Sequence, residues 1–164
     1  METSMFLLFL FIISIHNTEE GIWLMRMTRH SKVRLYQAVK QDQFLFAVIA
    51  VTAAAYFVTS MFILFPENVC FKYAYFGFLA AMMLNVLFSY LLGAIIERKY
   101  SPGLMTGILL IIPVHTIIIM RAFQSHLILF NGLIIGTFAM STAMLFLIPL
   151  MFKLASKWIC FSQN

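Results

Sequence analysis

The sequence predicts an all-α fold: a polytopic membrane helical bundle of about five transmembrane helices, forming a single integral membrane domain over residues 1–164. Three observations predict it. Hydrophobic residues make up 63% of the chain and charged residues 10%, against about 25% charged in a soluble domain, and the mean hydropathy is +0.97. The apolar residues are gathered in five stretches, roughly 4–25, 44–65, 73–96, 104–120 and 127–152, each approaching or exceeding the ~17–25 residues that cross a bilayer as a helix. Most of the basic residues lie between them, in alternate connections.

The first stretch runs through Met5–Ile15 and Gly21–Met25, with His16-Asn17-Thr18-Glu19-Glu20 between. A signal peptide would need a basic n-region and a small-residue cleavage site. The chain opens Met-Glu-Thr-Ser and has no Lys or Arg before Arg26, so a retained span is the reading. Residues 26–43 follow as a basic, partly amphipathic linker, read as a solvated loop that sets orientation. The second stretch, 44–65, is uniformly apolar apart from scattered Thr and Ser. The third carries Asn85, Ser89 and Tyr90. The fourth is the shortest, and Pro113 should bend it, the freed carbonyl being satisfied by neighbouring helices. The fifth contains Pro149 near its end. Gly103-x-x-x-Gly107 and Gly132-x-x-x-Gly136 have the small-residue spacing that lets membrane helices approach closely. Cys70 and Cys160 fall on opposite sides of the expected bundle and read as unpaired small apolar residues.

Charge orients the bundle. Arg26, Arg29, Lys32, Arg34, Lys40, Arg98, Lys99, Lys153 and Lys157 lie in one set of connections, and Lys72 and Arg121 in the other, a nine-to-two split. The positive-inside rule places the nine in the cytosol, hence the N-terminus outside and the C-terminus in the cytosol of the cell membrane. The net charge of +5 is therefore a membrane-surface signal. The lipid bilayer is the expected partner, and nucleic acid is not.

The informative feature is the polar cluster inside the first stretch. A charged acid at a bilayer centre costs roughly 2.5–3.5 kcal/mol even on insertion scales. Residues i, i+3 and i+4 of a helix share one face, so His16, Glu19 and Glu20 can meet. His16 lies ten residues before Arg26, about 15 Å of helix rise. Asn85 lies thirteen residues before Arg98, and His115 thirteen after Pro102, each about 20 Å. The matched depths lead to the expectation that the three helices bring these side chains to one cavity. The chemistry expected there has Glu19 and Glu20 as catalytic acid and base, and His16, Glu20 and His115 as ligands of a divalent metal such as zinc, iron or manganese. Asn85, Ser89 and Tyr90 would be supporting residues. Arg121 and His126 read as interfacial. The chain has no Gly-rich phosphate loop, GxSxG elbow or HExxH, and its four histidines are too few for a histidine-rich di-iron membrane oxygenase.

His16-Asn17-Thr18-Glu19-Glu20 resembles the motif that names the HXXEE-domain family of bacterial membrane proteins. Tyr100-Ser101-Pro102-Gly103, followed by Thr106 and an apolar span, resembles a Tyr-x-Pro-Gly segment of the same family, and Asn85 is similar to its asparagine in the preceding span. The resemblance runs in order from about residue 16 to residue 120. It departs where a histidine would follow the asparagine by a turn, since Ser89 and Tyr90 stand there and leave His115 as the substitute. The resemblance implies catalysis or metal binding without naming a reaction.

Two function classes follow. One is a metal-assisted hydrolase or transferase acting on a lipid or other apolar substrate. The other is a non-catalytic protein, a proton-coupled carrier or accessory subunit, whose His/Glu cluster is a proton relay or packing motif.

Overall fold

The structure is a computed structural model that describes residues 3–28, 41–98 and 100–158. Five of its helices are long and apolar enough to cross a membrane: Ser4–Trp23, Gln41–Leu64, Val69–Ile96, Leu104–Gln124 and Phe130–Lys157. The described residues contain no strand. Most of the basic linker, and Cys160, lie outside the described residues.

Local chemistry sets the ends. Asn68 opens the third span as a helix cap, its Oδ1 accepting the N–H groups of Cys70 (2.9 Å) and Phe71 (3.3 Å), which satisfies donors that no carbonyl of the helix can reach. The span therefore starts at Val69, four residues before its apolar run. Arg98 closes it in the left-handed conformation, and His126 takes the same conformation between the fourth and fifth spans. Arg121 and His126 are exposed there.

The third span packs against the second, fourth and fifth, and the first packs against the second and fourth. The first span is the most enclosed, with 39% of its apolar window buried against 6% for the fifth. Its core contact is aromatic. Phe6 and Phe9 meet Tyr75, Phe76 and Phe78 of the third span and Phe62 of the second, mostly edge to face at 4.9–6.3 Å, and the Tyr75 hydroxyl donates to the Phe6 carbonyl. Because lipid tails are as apolar as these rings, such contacts hold the helices by dispersion and ring geometry rather than by hydrophobic transfer. The Gly132/Gly136 stripe does what its spacing predicts. A Cβ on Gly136 would lie 2.4 Å from the Tyr73 carbonyl oxygen, and one on Gly132 would lie 2.1 Å from the Tyr73 ring. The fifth span approaches the third only because these side chains are missing.

Two stretches depart from α geometry. Val86–Leu91 and Gly107–Ile111 are π turns, each closed by an i→i+5 hydrogen bond, Leu92 N–H to Leu87 O and Ile112 N–H to Gly107 O. The second ends two residues before Pro113, whose ring cannot donate and crowds the carbonyl four residues back; widening the turn accommodates it. The two π turns touch, and a Cβ on Gly107 would lie 2.8 Å from Val86 Cγ1.

Candidate functional site: a carboxylate pair beneath an inserted turn

The turn Ser101-Pro102-Gly103 is buried. It dips into the bundle, so the fourth span begins level with Glu19, seven residues short of Arg26 and thus about 10 Å deeper. Non-helical backbone at such depth must be enclosed by protein and satisfied by it. Gly103 caps the helix but has no side chain to do so. It sits at φ +85°, and a Cβ there would lie 2.9 Å from His16 Cε1 and 3.4 Å from both Glu20 Cγ and Tyr90 Cζ.

Glu19, from the first span, supplies the missing cap. Its Oε1 accepts the Gly103 N–H at 3.2 Å and the Tyr100 hydroxyl. Its Oε2 accepts the Thr106 N–H at 3.0 Å. A carboxylate thus meets the positive end of a helix whose first N–H groups have no internal partner. Tyr100 lies outside the spans. Partial burial and its bond to Glu19 hold its phenol above the ordinary tyrosine range, so it remains a donor at neutral pH. His16 is fully buried beside this cap, with its Nδ1 2.9 Å from Thr106 Oγ1. Its Nε2 has no hydrogen-bond partner among the described residues.

Glu20 faces the other way. Its Oε1 accepts the Tyr90 hydroxyl at 2.5 Å. Tyr90 Oη accepts from Asn85 Nδ2 at 3.0 Å, and Asn85 Oδ1 accepts from Ser89 at 2.7 Å. The π turn makes this chain. Residues five apart diverge by about 140° on an α-helix of 3.6 residues per turn, whereas the wider i→i+5 turn returns Asn85 and Tyr90 to one face. Glu20, Asn85, Ser89 and Tyr90 all line a cavity of about 550 Å³ between the first, second, third and fifth spans. Most of its remaining wall is apolar, and Phe88 and Leu145, 64% and 73% exposed, stand at its outer rim. Asn17 also lines it, and its Nδ2 donates to Thr52 on the second span at 2.7 Å.

The motif and the Tyr-Ser-Pro-Gly segment, which the resemblance marked as parts of one family pattern, are in contact. The family described as "protein of unknown function with HXXEE motif" matches residues 7–118. The chain belongs to the HXXEE family. YrkK, an uncharacterized protein of Bacillus subtilis strain 168, is 40% identical over 149 residues, covering 91% of this chain and 94% of that one. No solved structure matches. The HXXEE signature thereby acquires a geometry: its His braces Thr106, its first Glu caps the inserted turn, and its second Glu faces a cavity.

His115 does not join this HXXEE cluster. Its Nδ1 bonds the Leu79 carbonyl at 3.1 Å, and its ring packs on Phe9. The matched depths expected from the sequence took Pro102 as a membrane edge, but the turn is inserted. Thr106 is level with His16, and His115 lies nine residues farther on, about 13 Å along the axis. The expected metal ligands His16, Glu20 and His115 are therefore not assembled. Among the described residues no three His, Cys, Asp or Glu side chains come together as a metal site. His16 and His115 are also absent from the cavity wall, which only Glu20, Asn85, Ser89 and Tyr90 of the expected group reach. Sequence reasoning missed Thr106 and Gly103 as site residues. The glycine after a proline, beside a Tyr that the family resemblance had already marked, was the available signal.

Proposed function

We propose that the protein is a membrane-embedded hydrolase or transferase acting on a lipid or other apolar molecule, with Glu20 as general acid–base. One observation carries this reading: Glu20 is the point where a hydrogen-bond chain from another helix meets a largely apolar cavity rimmed by the exposed Phe88 and Leu145. Tyr90 fixes one carboxyl oxygen. The other forms no hydrogen bond with a described residue and is placed to take a proton from the hydroxyl of water or of an acceptor, then return it to the leaving group. Such positioned proton transfer contributes about 10²–10⁴-fold to a rate. Glu19 holds the turn that roofs the site. Among the described residues the His and Glu side chains here do not gather as a divalent-metal site.

The nine-to-two distribution of basic residues supports an external N-terminus and a cytosolic C-terminus, which puts the cavity in the cytosolic half of the cell membrane. Cysteine-accessibility labelling at positions 3, 36 and 162 tests this, and an externally labelled position 36 reverses it.

The functional test is turnover in a lipid extract. The purified protein and its Glu20→Gln variant, each in nanodiscs, are incubated with total bacterial lipid, and the species consumed and formed are followed by mass spectrometry. A lipid converted by the unmodified protein and slowed at least a hundredfold by the variant is the expected result. Identical profiles would make the motif a packing device.

A further inference from the structure

Resting on the same cavity, the identity of its ligand can be narrowed by charge. Among the described lining residues Glu20 is the only ionisable carboxyl, and none is a Lys, Arg or His. A phosphate or carboxylate head placed here would meet a carboxyl group in low dielectric with no cation to offset it, and like charges at close range disfavour each other strongly there. The wall offers instead an acceptor and donors. Glu20 Oε2 is unengaged by described residues, and the Ser141 hydroxyl, on the fifth span, likewise forms no hydrogen bond with a described residue. Ser89 spends its proton on Asn85 and keeps lone pairs. A group that both donates and accepts fits this set. Apart from Asn17 and Ser101, the rest of the wall, from Phe44, Val48 and Val51 of the second span to Met144 and Ile148 of the fifth, is apolar, and about 550 Å³ falls within the usual range for small-molecule sites.

We infer that the cavity binds a single-chain amphiphile with an uncharged hydroxyl head, taken from the bilayer between Phe88 and Leu145, and that it rejects anionic heads of the same chain length.

The test uses the full chain in phosphatidylcholine nanodiscs and a twelve-carbon alcohol bearing a diazirine near the end of its chain. Photocrosslinks should map to second- and fifth-span residues of the wall, such as Val51 and Met144. Unlabelled 1-dodecanol should suppress them at about tenfold lower concentration than laurate or dodecyl phosphate. Read at about pH 9, where the carboxyl is ionised, the preference over laurate should shrink to within about threefold in Glu20→Gln, because the charge that adds to the exclusion of the anion is gone. Ser141→Phe should fill the cavity and abolish the crosslinks; Val48→Phe does the same from the opposite wall should the first variant not fold. Anions that compete as well as the alcohol, or a preference unchanged in Glu20→Gln, overturn the inference. Since only binding is read, selective capture without any lipid turnover would retain the ligand class while removing the enzymatic reading.

Discussion

Replacing Gly103 by Ala should damage the site more than any other single-methyl change. At φ +85° an L-residue pays about 1–2 kcal/mol for the left-handed conformation. The new methyl would also sit 2.9 Å from His16 Cε1 and 3.4 Å from Glu20 Cγ and Tyr90 Cζ. His16 is fully buried and tied to Thr106, so it cannot swing aside without breaking that bond, and overpacking of this kind costs about 1–3 kcal/mol. Together the loss is roughly 2–5 kcal/mol. Gly93→Ala is the matched control. It lies in a helix with nothing within 4 Å of its added Cβ, where Ala is favoured over Gly by about 1 kcal/mol. Reversible unfolding in mixed micelles, titrated with SDS, reads both. Gly103→Ala as stable as Gly93→Ala would refute the claim that the inserted turn packs directly on His16 and Glu20.

Other outcomes follow from the same geometry. Glu19→Gln turns one accepting oxygen into a donor facing backbone N–H groups or the Tyr100 hydroxyl, and should cost about 1–3 kcal/mol in the same titration. Tyr90→Phe breaks the link between Glu20 and Asn85; it should lower stability by about 1 kcal/mol and lower any lipid turnover more than its effect on folding explains. Gly136→Leu forces the fifth span off Tyr73, and a disulfide engineered between the third and fifth spans near these positions should then form more slowly than in the parent. Tyr100 should titrate above its ordinary value near 10. Since the folded state favours the neutral phenol, its stabilising share is fully present below the unfolded value and is lost as pH rises toward the folded one, so Tyr100→Phe should flatten alkaline unfolding in that window.

The bundle was legible because bilayer thickness and charge leave few alternatives. The fourth and fifth spans begin at or within three residues of their expected starts, and the third begins early only because Asn68 caps it. The link between the HXXEE motif and the Tyr-Ser-Pro-Gly turn was visible as a family pattern but not as a geometry. The π turns were not legible: nothing in Val86–Leu91 distinguishes a π from an α turn, and that choice decides whether Asn85 and Tyr90 share a face. His115 was misplaced for a related reason. Depth counted from a proline ignores how the helices are staggered, and the buried Ser101-Pro102-Gly103 turn packs beside Glu19, so that His115 falls well past His16. Glu19 and Glu20, adjacent and chemically alike, were given one acid–base task; the structure gives them different partners because consecutive helical residues point about 100° apart.

That division is open to one direct measurement. A lipid-soluble carbodiimide, added to the protein in nanodiscs, should reach Glu20 from the cavity and leave Glu19 unmodified, since both Glu19 oxygens are occupied by donors of the inserted turn. Peptide mass spectrometry separates the two sites. An adduct on Glu20 that diminishes when 1-dodecanol fills the cavity is the expected result; an adduct on Glu19 with Glu20 untouched would contradict the division of roles.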